Sequence, residues 1–173
     1  MTTATGRRFR PAPFLARRGR AAVAPDPETL QLRRVLLASE GRPFSDEAIA
    51  QVLAIAAPGA HIRVFSVARV HGVAFGMPNP GLLPTKREWA EQRDAVASAI
   101  KRLKRRRLTA DGHVVGTRNA TKLILKEATA HGCEAVVMGA DRDRNRMIGN
   151  AMWEQEPQRV RRRCKLAVYL AVE

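Results

Sequence analysis

From about residue 30 onward, short runs of apolar, β-branched residues alternate with longer stretches whose apolar residues recur at helical spacing. This alternation constrains the fold more than any other feature, because brief apolar runs read as strands buried on both faces, and such strands form parallel sheets with a helix at every crossover. Val35 to Ala38 is the first run. Glu40-Gly41-Arg42-Pro43 follows as a turn, and Ser45 is placed to cap a helix with Asp46 and Glu47 in its first turn. That helix turns Ile49, Val52, Leu53 and Ala56 inward and is expected to stop at Pro58-Gly59. His61 to Val70 reads as the second strand and His71 to Thr85 as an irregular connection rich in Gly and Pro. Lys86 to Leu108 is the longest expected helix, with Trp89, Val96, Ile100 and Leu103 on one face. Gly112 to Gly116 supplies a third strand. Asn119 caps a helix with Leu123, Ile124, Leu125 and Ala128 inward, ended by His131-Gly132. Glu134 to Met138 is the fourth strand, Pro157 suits the first turn of a last helix through Arg163, and Leu166 to Val172 is the fifth strand. The expected architecture is α/β: a single doubly wound, five-stranded parallel sheet with helices on both faces, spanning 28–173. A chain of 173 residues has room for one such domain and a tail. Its apolar runs are far too short for a spanning helix, so no membrane segment is expected.

The second constraint is charge. Thirty-one Lys and Arg against 16 Asp and Glu give a formal +15, which points to an anionic partner. Residues 1–27 form an arm with Arg7, Arg8, Arg10, Arg17, Arg18 and Arg20, scattered Pro and Gly, and no apolar stripe. Such a segment cannot bury enough surface to order itself alone. It reads as an arm that lies on nucleic acid or as an Arg-rich organellar transit segment, and it lacks the apolar region of a secretory signal. Two further clusters, Lys101 to Arg107 and Arg159 to Lys165, end expected helices. One or two bases there would complement a helix dipole; five or six repel one another unless an anion sits among them. The expected phosphate contacts are the six arm arginines with Lys101, Arg102, Lys104, Arg105, Arg161, Arg162 and Arg163. RNA, and the ribosome in particular, is the natural polyanion. Aromatics make up only 5% of the chain, so contact would be to backbone and shape rather than to stacked bases.

No catalytic residue is assigned. No GxSxG elbow presents a serine, and Gly76 and Gly81 have P-loop spacing but Leu82 follows where Lys is needed. The histidines His61, His71, His113 and His131 have no ligand pairing and read as separate surface residues, so no metal is expected. Cys133 and Cys164 lack a CxxC partner and read as packing thiols of a reducing cytoplasm.

Three stretches resemble the universal stress protein family: Val35 to Gly41 with the acid-capped helix after it, Gly116 to Ala128 leading through Gly132 into Glu134 to Ala140, and Arg159 to Tyr169. The resemblance covers about residues 32–172. It implies strand order 3-2-1-4-5, ATP or a related adenine nucleotide at the carboxyl ends of the strands in some members, and a homodimer through the last strand. Nucleotide-binding members carry Asp at the end of the first strand and a G-x2-G-x9-G-[ST] loop after the fourth. Glu40 stands at the Asp position and Gly139 at the first glycine, whereas Arg142 replaces the second glycine and Met152-Trp153 the closing pair. A shorter register would use Gly149 and Asn150 instead. Two functional readings follow: a non-enzymatic module bound to RNA or the ribosome, or an ATP-binding stress regulator using Glu40, Gly139, Arg142, Gly149 and Asn150.

Overall fold

The computed structural model describes residues 30–69, 73–74, 77–78, 84–140 and 156–172; the arm, Arg142, Gly149 and Asn150 lie outside them. The elements are β1 (Leu32–Ser39), α1 (Asp46–Ile55), β2 (Ala56–Arg69), β3 (Val73–Ala74), β4 (Met77–Pro78), α2 (Lys86–Arg105), β5 (Thr109–Thr117), α3 (Ala120–Ala130), β6 (Ala135–Ala140), α4 (Glu156–Arg163) and β7 (Ala167–Val172). The main sheet has the order β5-β2-β1-β6-β7 with every pairing parallel, which is 3-2-1-4-5 among its five strands. Alternate residues of a strand face opposite ways, so the unbroken run in β1 feeds two cores. Val35 and Leu37 pack with Ile62, Val64, Val52, Ile55, Val96 and Leu103 under α1 and α2. Leu36 and Ala38 pack with Phe65, Val67, Ile124, Ala128 and Val160 under α3 and α4.

Several boundaries differ from the sequence expectation, each for a physical reason. The first helix ends at Ile55, and Ala56, expected on its inner face, instead donates its N–H to the Val52 carbonyl and opens β2. Pro58 and Gly59 therefore lie inside a strand. They occupy a bulge between the pairs Leu32–Ala56 and Arg34–His61, where Gly59 takes a φ of +73° and Pro58 escapes the need for a ladder donor. The connection after β2 contains an antiparallel pair, β3 with β4. The long helix stops at Arg105 rather than Leu108, because the N–H groups of Arg106 and Arg107 turn back to the Leu103 and Lys104 carbonyls and Arg107 takes a φ of 61°. Its buried line is Val96, Ala99 and Leu103, with Trp89 and Ile100 at the rim. A capping box of Thr85 and Glu88 starts it. β5 outgrows the expected Gly112 to Gly116 because it pairs with β2 along its whole length, from His61–Thr109 to Arg69–Thr117. At Gly112 the two strands come so close that a Cβ would stand 2.0 Å from the Val64 carbonyl oxygen.

Candidate functional site

Chain order reverses between the neighbours β1 and β6, and open α/β sheets take ligands outside the carboxyl ends of strands at such a point. Here that crevice is lined by Ala38, Ser39, Glu40, Met138 and Gly139 with Arg42 to Ser45 of the turn into α1. The fold thus brings Glu40 and Gly139 together, as expected. The turn is tied down on both sides. Ser39 Oγ donates to the Arg42 carbonyl at 2.6 Å and accepts from the Arg42 N–H at 3.1 Å. From α2, Gln92 Nε2 donates to the Gly41 carbonyl at 2.7 Å, and its Oε1 accepts from Ser66 Oγ of β2 at 2.7 Å. The space left is about 20 Å³, room for a water, whereas pockets for drug-sized ligands run to about 300–1,000 Å³. The described residues therefore do not by themselves fit ATP.

The basic clusters gather at the opposite end. Helices that link parallel strands run antiparallel to them, so the C-termini of α2 and α4 both lie at the amino ends of the strands. The described chain also begins there, at Leu30 just before β1, with Arg33 and Arg34 exposed beside it. Lys101, Lys104, Arg105, Arg106, Arg107, Arg161, Arg162, Arg163 and Lys165 are exposed. Arg102 differs: half-buried, it donates to the Phe44 carbonyl at 3.1 Å and pairs with Asp46, clamping α2 to the start of α1.

Two groupings were not legible in the sequence. His61, His113 and His131, read separately as surface residues, meet around Arg63, Asp111 and Glu127, with Arg63 bonded to both carboxylates at 2.9 Å. Burial pulls the Arg63 pKa down, and the bonds to Glu127 and Asp111 more than offset it. No three His, Cys, Asp or Glu side chains among the described residues are placed to hold a metal ion. The second grouping is Glu156, buried where α4 begins, which accepts from the Thr121 N–H of α3 at 2.6 Å and from the Thr121 hydroxyl. Local pattern signals neither, because the partners are far apart in the chain. Cys133 is buried and Cys164 half-buried, both as free thiols. Burial pushes the Cys133 thiol up to about 11, with Glu127 adding and Arg34 and Arg63 opposing; burial also raises Cys164. No helix of the described residues is long and apolar enough to cross a membrane.

Comparison with known proteins agrees with the geometry. The model of the universal stress protein family matches residues 31–171. No curated protein matches the sequence. A universal stress protein from Burkholderia pseudomallei superposes with a TM-score of 0.58 at 18% identity, over 80% of this chain and 94% of that one. One from Archaeoglobus fulgidus gives 0.55 at 12% identity, over 81% and 93%. A universal stress protein in complex with cAMP gives 0.56 at 16% identity, over 81% and 96%. A family match that spans the entire sheet, met independently by the same fold in solved structures, makes this chain a member of the universal stress protein family.

Proposed function

We propose that the protein is a binding member of the family rather than an enzyme, that its ligand is a polyanion, RNA or the ribosome, and that it works in the cytoplasm. One observation carries this reading: two basic clusters more than fifty positions apart in sequence end helices at the same edge of the sheet, where the chain also enters from its Arg-rich arm. Lys101, Lys104, Arg105 and Arg161 to Arg163 would meet phosphates, with the six arm arginines alongside; Arg102 would serve by holding α2 in place. Each phosphate contact steepens the dependence of log affinity on log salt by about 0.9, so replacing the six arm arginines with Gln should flatten the slope by up to about 5. An unchanged slope would remove the arm from the interface. Sedimentation of a native extract at low salt, with and without ribonuclease, tests the partner. Co-sedimentation with ribosomes that ribonuclease abolishes is expected, and free sedimentation in both halves would overturn the reading.

A second reading rests on the relative solved with cAMP: an adenine nucleotide, ATP included, at the crevice of Glu40 and Gly139, with Arg142, Gly149 and Asn150 supplying the phosphate loop. A ligand at about 100 times its Kd stabilises by about 2.7 kcal/mol, so thermal shift with millimolar ATP or cAMP and magnesium decides. A homodimer through β7 is part of the first reading: Val172 on that edge strand is 48% exposed, and sedimentation equilibrium of the pure protein measures it.

A further inference from the structure

We propose that His61, His113 and His131, gathered around Arg63, Asp111 and Glu127, form a proton-operated charge switch on the flank of the basic end, in which protonation of the rings strengthens polyanion binding.

The switch is assembled by the fold from three elements. β2 contributes His61 and Arg63, β5 contributes Asp111 and His113, and the end of α3 contributes Glu127 with His131 as its C-cap. The residues beyond α3 complete the charged surroundings: Cys133 and Glu134, with Arg34 of β1 lying against Gly132. Glu134 is engaged elsewhere, its Oε2 accepting from the Arg33 N–H at 2.8 Å.

The chemistry of one nitrogen sets the device. Arg63 Nη2 lies 2.9 Å from His113 Nδ1. A guanidinium only donates, so Nδ1 must accept, and His113 in this arrangement is the neutral ring with its proton on Nε2. Protonation reverses the role of Nδ1. The new N–H cannot face Arg63 and turns to Glu127 Oε1, now 3.8 Å away. Phe65 packs edge-on against the ring, 5.2 Å between centroids, and steadies it through that change.

The other two imidazoles are already beside carboxylates that hold Arg63. His131 Nε2 is 3.1 Å from Glu127 Oε1, and His61 Nε2 is 3.5 Å from Asp111 Oδ1. Their protonation gives Glu127 and Asp111 competing cations and loosens the grip on Arg63. With neutral imidazoles the two carboxylates outnumber Arg63; with protonated ones the cations outnumber the carboxylates. The three rings are 38–40% exposed, so the added charge faces solvent.

Position makes that charge count. The C-terminus of α3 and the first residues of β2 and β5 lie at the amino ends of the strands, the end that carries Arg33, Arg34 and Arg105 to Arg107. Asp111 stands only four residues beyond Arg107, and the Arg34 side chain lies against Gly132, next to His131. The basic surface is therefore flanked by a cluster in which Asp111 and Glu127 offset nearby positive charge, and in which protonated rings would add to the basic end.

Elution from heparin is the primary test, because a chain of formal charge +15 is retained on a polyanion whatever its biological partner. The wild type and the triple variant His61→Gln, His113→Gln, His131→Gln are compared from pH 8 to 5.5, with His71 kept in both; Gln preserves an acceptor for Arg63 and a donor for the carboxylates. Expected for the wild type is a rise in eluting salt and, for a structured RNA at about 0.1 M salt, an affinity gain near 8-fold for each phosphate contact added, with the variant nearly flat. Equal shifts in both proteins, or none in either, would overturn the switch. Imidazole nitrogen NMR on the wild type needs no variant: His113 must be the Nε2–H tautomer at pH 8, and the Nδ1–H form would also overturn it. The RNA arm alone rests on the proposed function. Loss of RNA binding at every pH, with the heparin difference intact, would refute that function and leave the switch standing.

Discussion

Replacing Glu156 with Ala should destabilise the fold more than its place at the start of an eight-residue helix suggests. Its carboxylate acts on α3. Asn119 caps that helix through the Lys122 N–H, and Glu156 takes the N–H of Thr121, another donor of the first turn that has no partner within the helix. Glu156 and Thr121 are 6% and 2% exposed, so water does not replace a lost partner. Hydrogen bonds to a charged group contribute about 1.5–3 kcal/mol each, and the Thr121 N–H and hydroxyl share this acceptor, so Glu156→Ala should cost about 3–5 kcal/mol. At roughly 2–4 °C per kcal/mol in this size range, Tm should fall by about 6–20 °C. Glu156→Gln keeps an acceptor for Thr121 but loses the charge facing Arg159 at 3.5 Å and the α3 dipole, for about 1–2 kcal/mol. Thr121→Val removes only the hydroxyl and should fall in the same range. Thermal and urea unfolding followed by circular dichroism would rank the three. An Ala variant melting within about 2 °C of wild type would refute the argument, because two buried donors would then be unpaired at no cost.

Other consequences are direct. Gly112→Ala places a methyl 2.0 Å from the Val64 oxygen and 2.8 Å from its carbon, backbone that cannot step aside; a loss of about 1–3 kcal/mol or more is expected in urea unfolding. Tyr169→Phe should leave stability unchanged or raise it by about 1 kcal/mol, since the buried hydroxyl has no partner among the described residues. Thr85→Ala removes one half of the α2 capping box, for about 1 kcal/mol by the same assay. Cys133, pushed up to about 11 by burial, should resist a thiol reagent at pH 8 until the chain is unfolded. Because the folded thiol keeps its proton longer than the unfolded one, stability is fully present below the unfolded pKa and falls as pH rises toward 11; Cys133→Ala should flatten that alkaline limb.

The strand succession, the α/β class and the caps at Ser45 and Asn119 follow from local chemistry, which is short-range and written consecutively in the chain. The extension of β5, the bulge at Gly59 and the pairing of β3 with β4 needed the neighbouring strand, because pairing partners set them. At the switch-point crevice the sequence determined which residues arrive, Glu40 and Gly139, and the tertiary structure decided that Gln92 of α2 and Ser66 of β2 hold the adjoining turn in place. Charge shows the same division. The Arg and Lys clusters are consecutive and legible, whereas their gathering at one end depends on every crossover helix running against the sheet. The histidine cluster lies furthest from the sequence, since its members stand at 61, 113 and 131 on β2, on β5 and just beyond α3. No periodicity links such positions. A parallel sheet brings them together because β2 and β5 are neighbours and α3 crosses back over them, a long-range consequence of topology that no local pattern records.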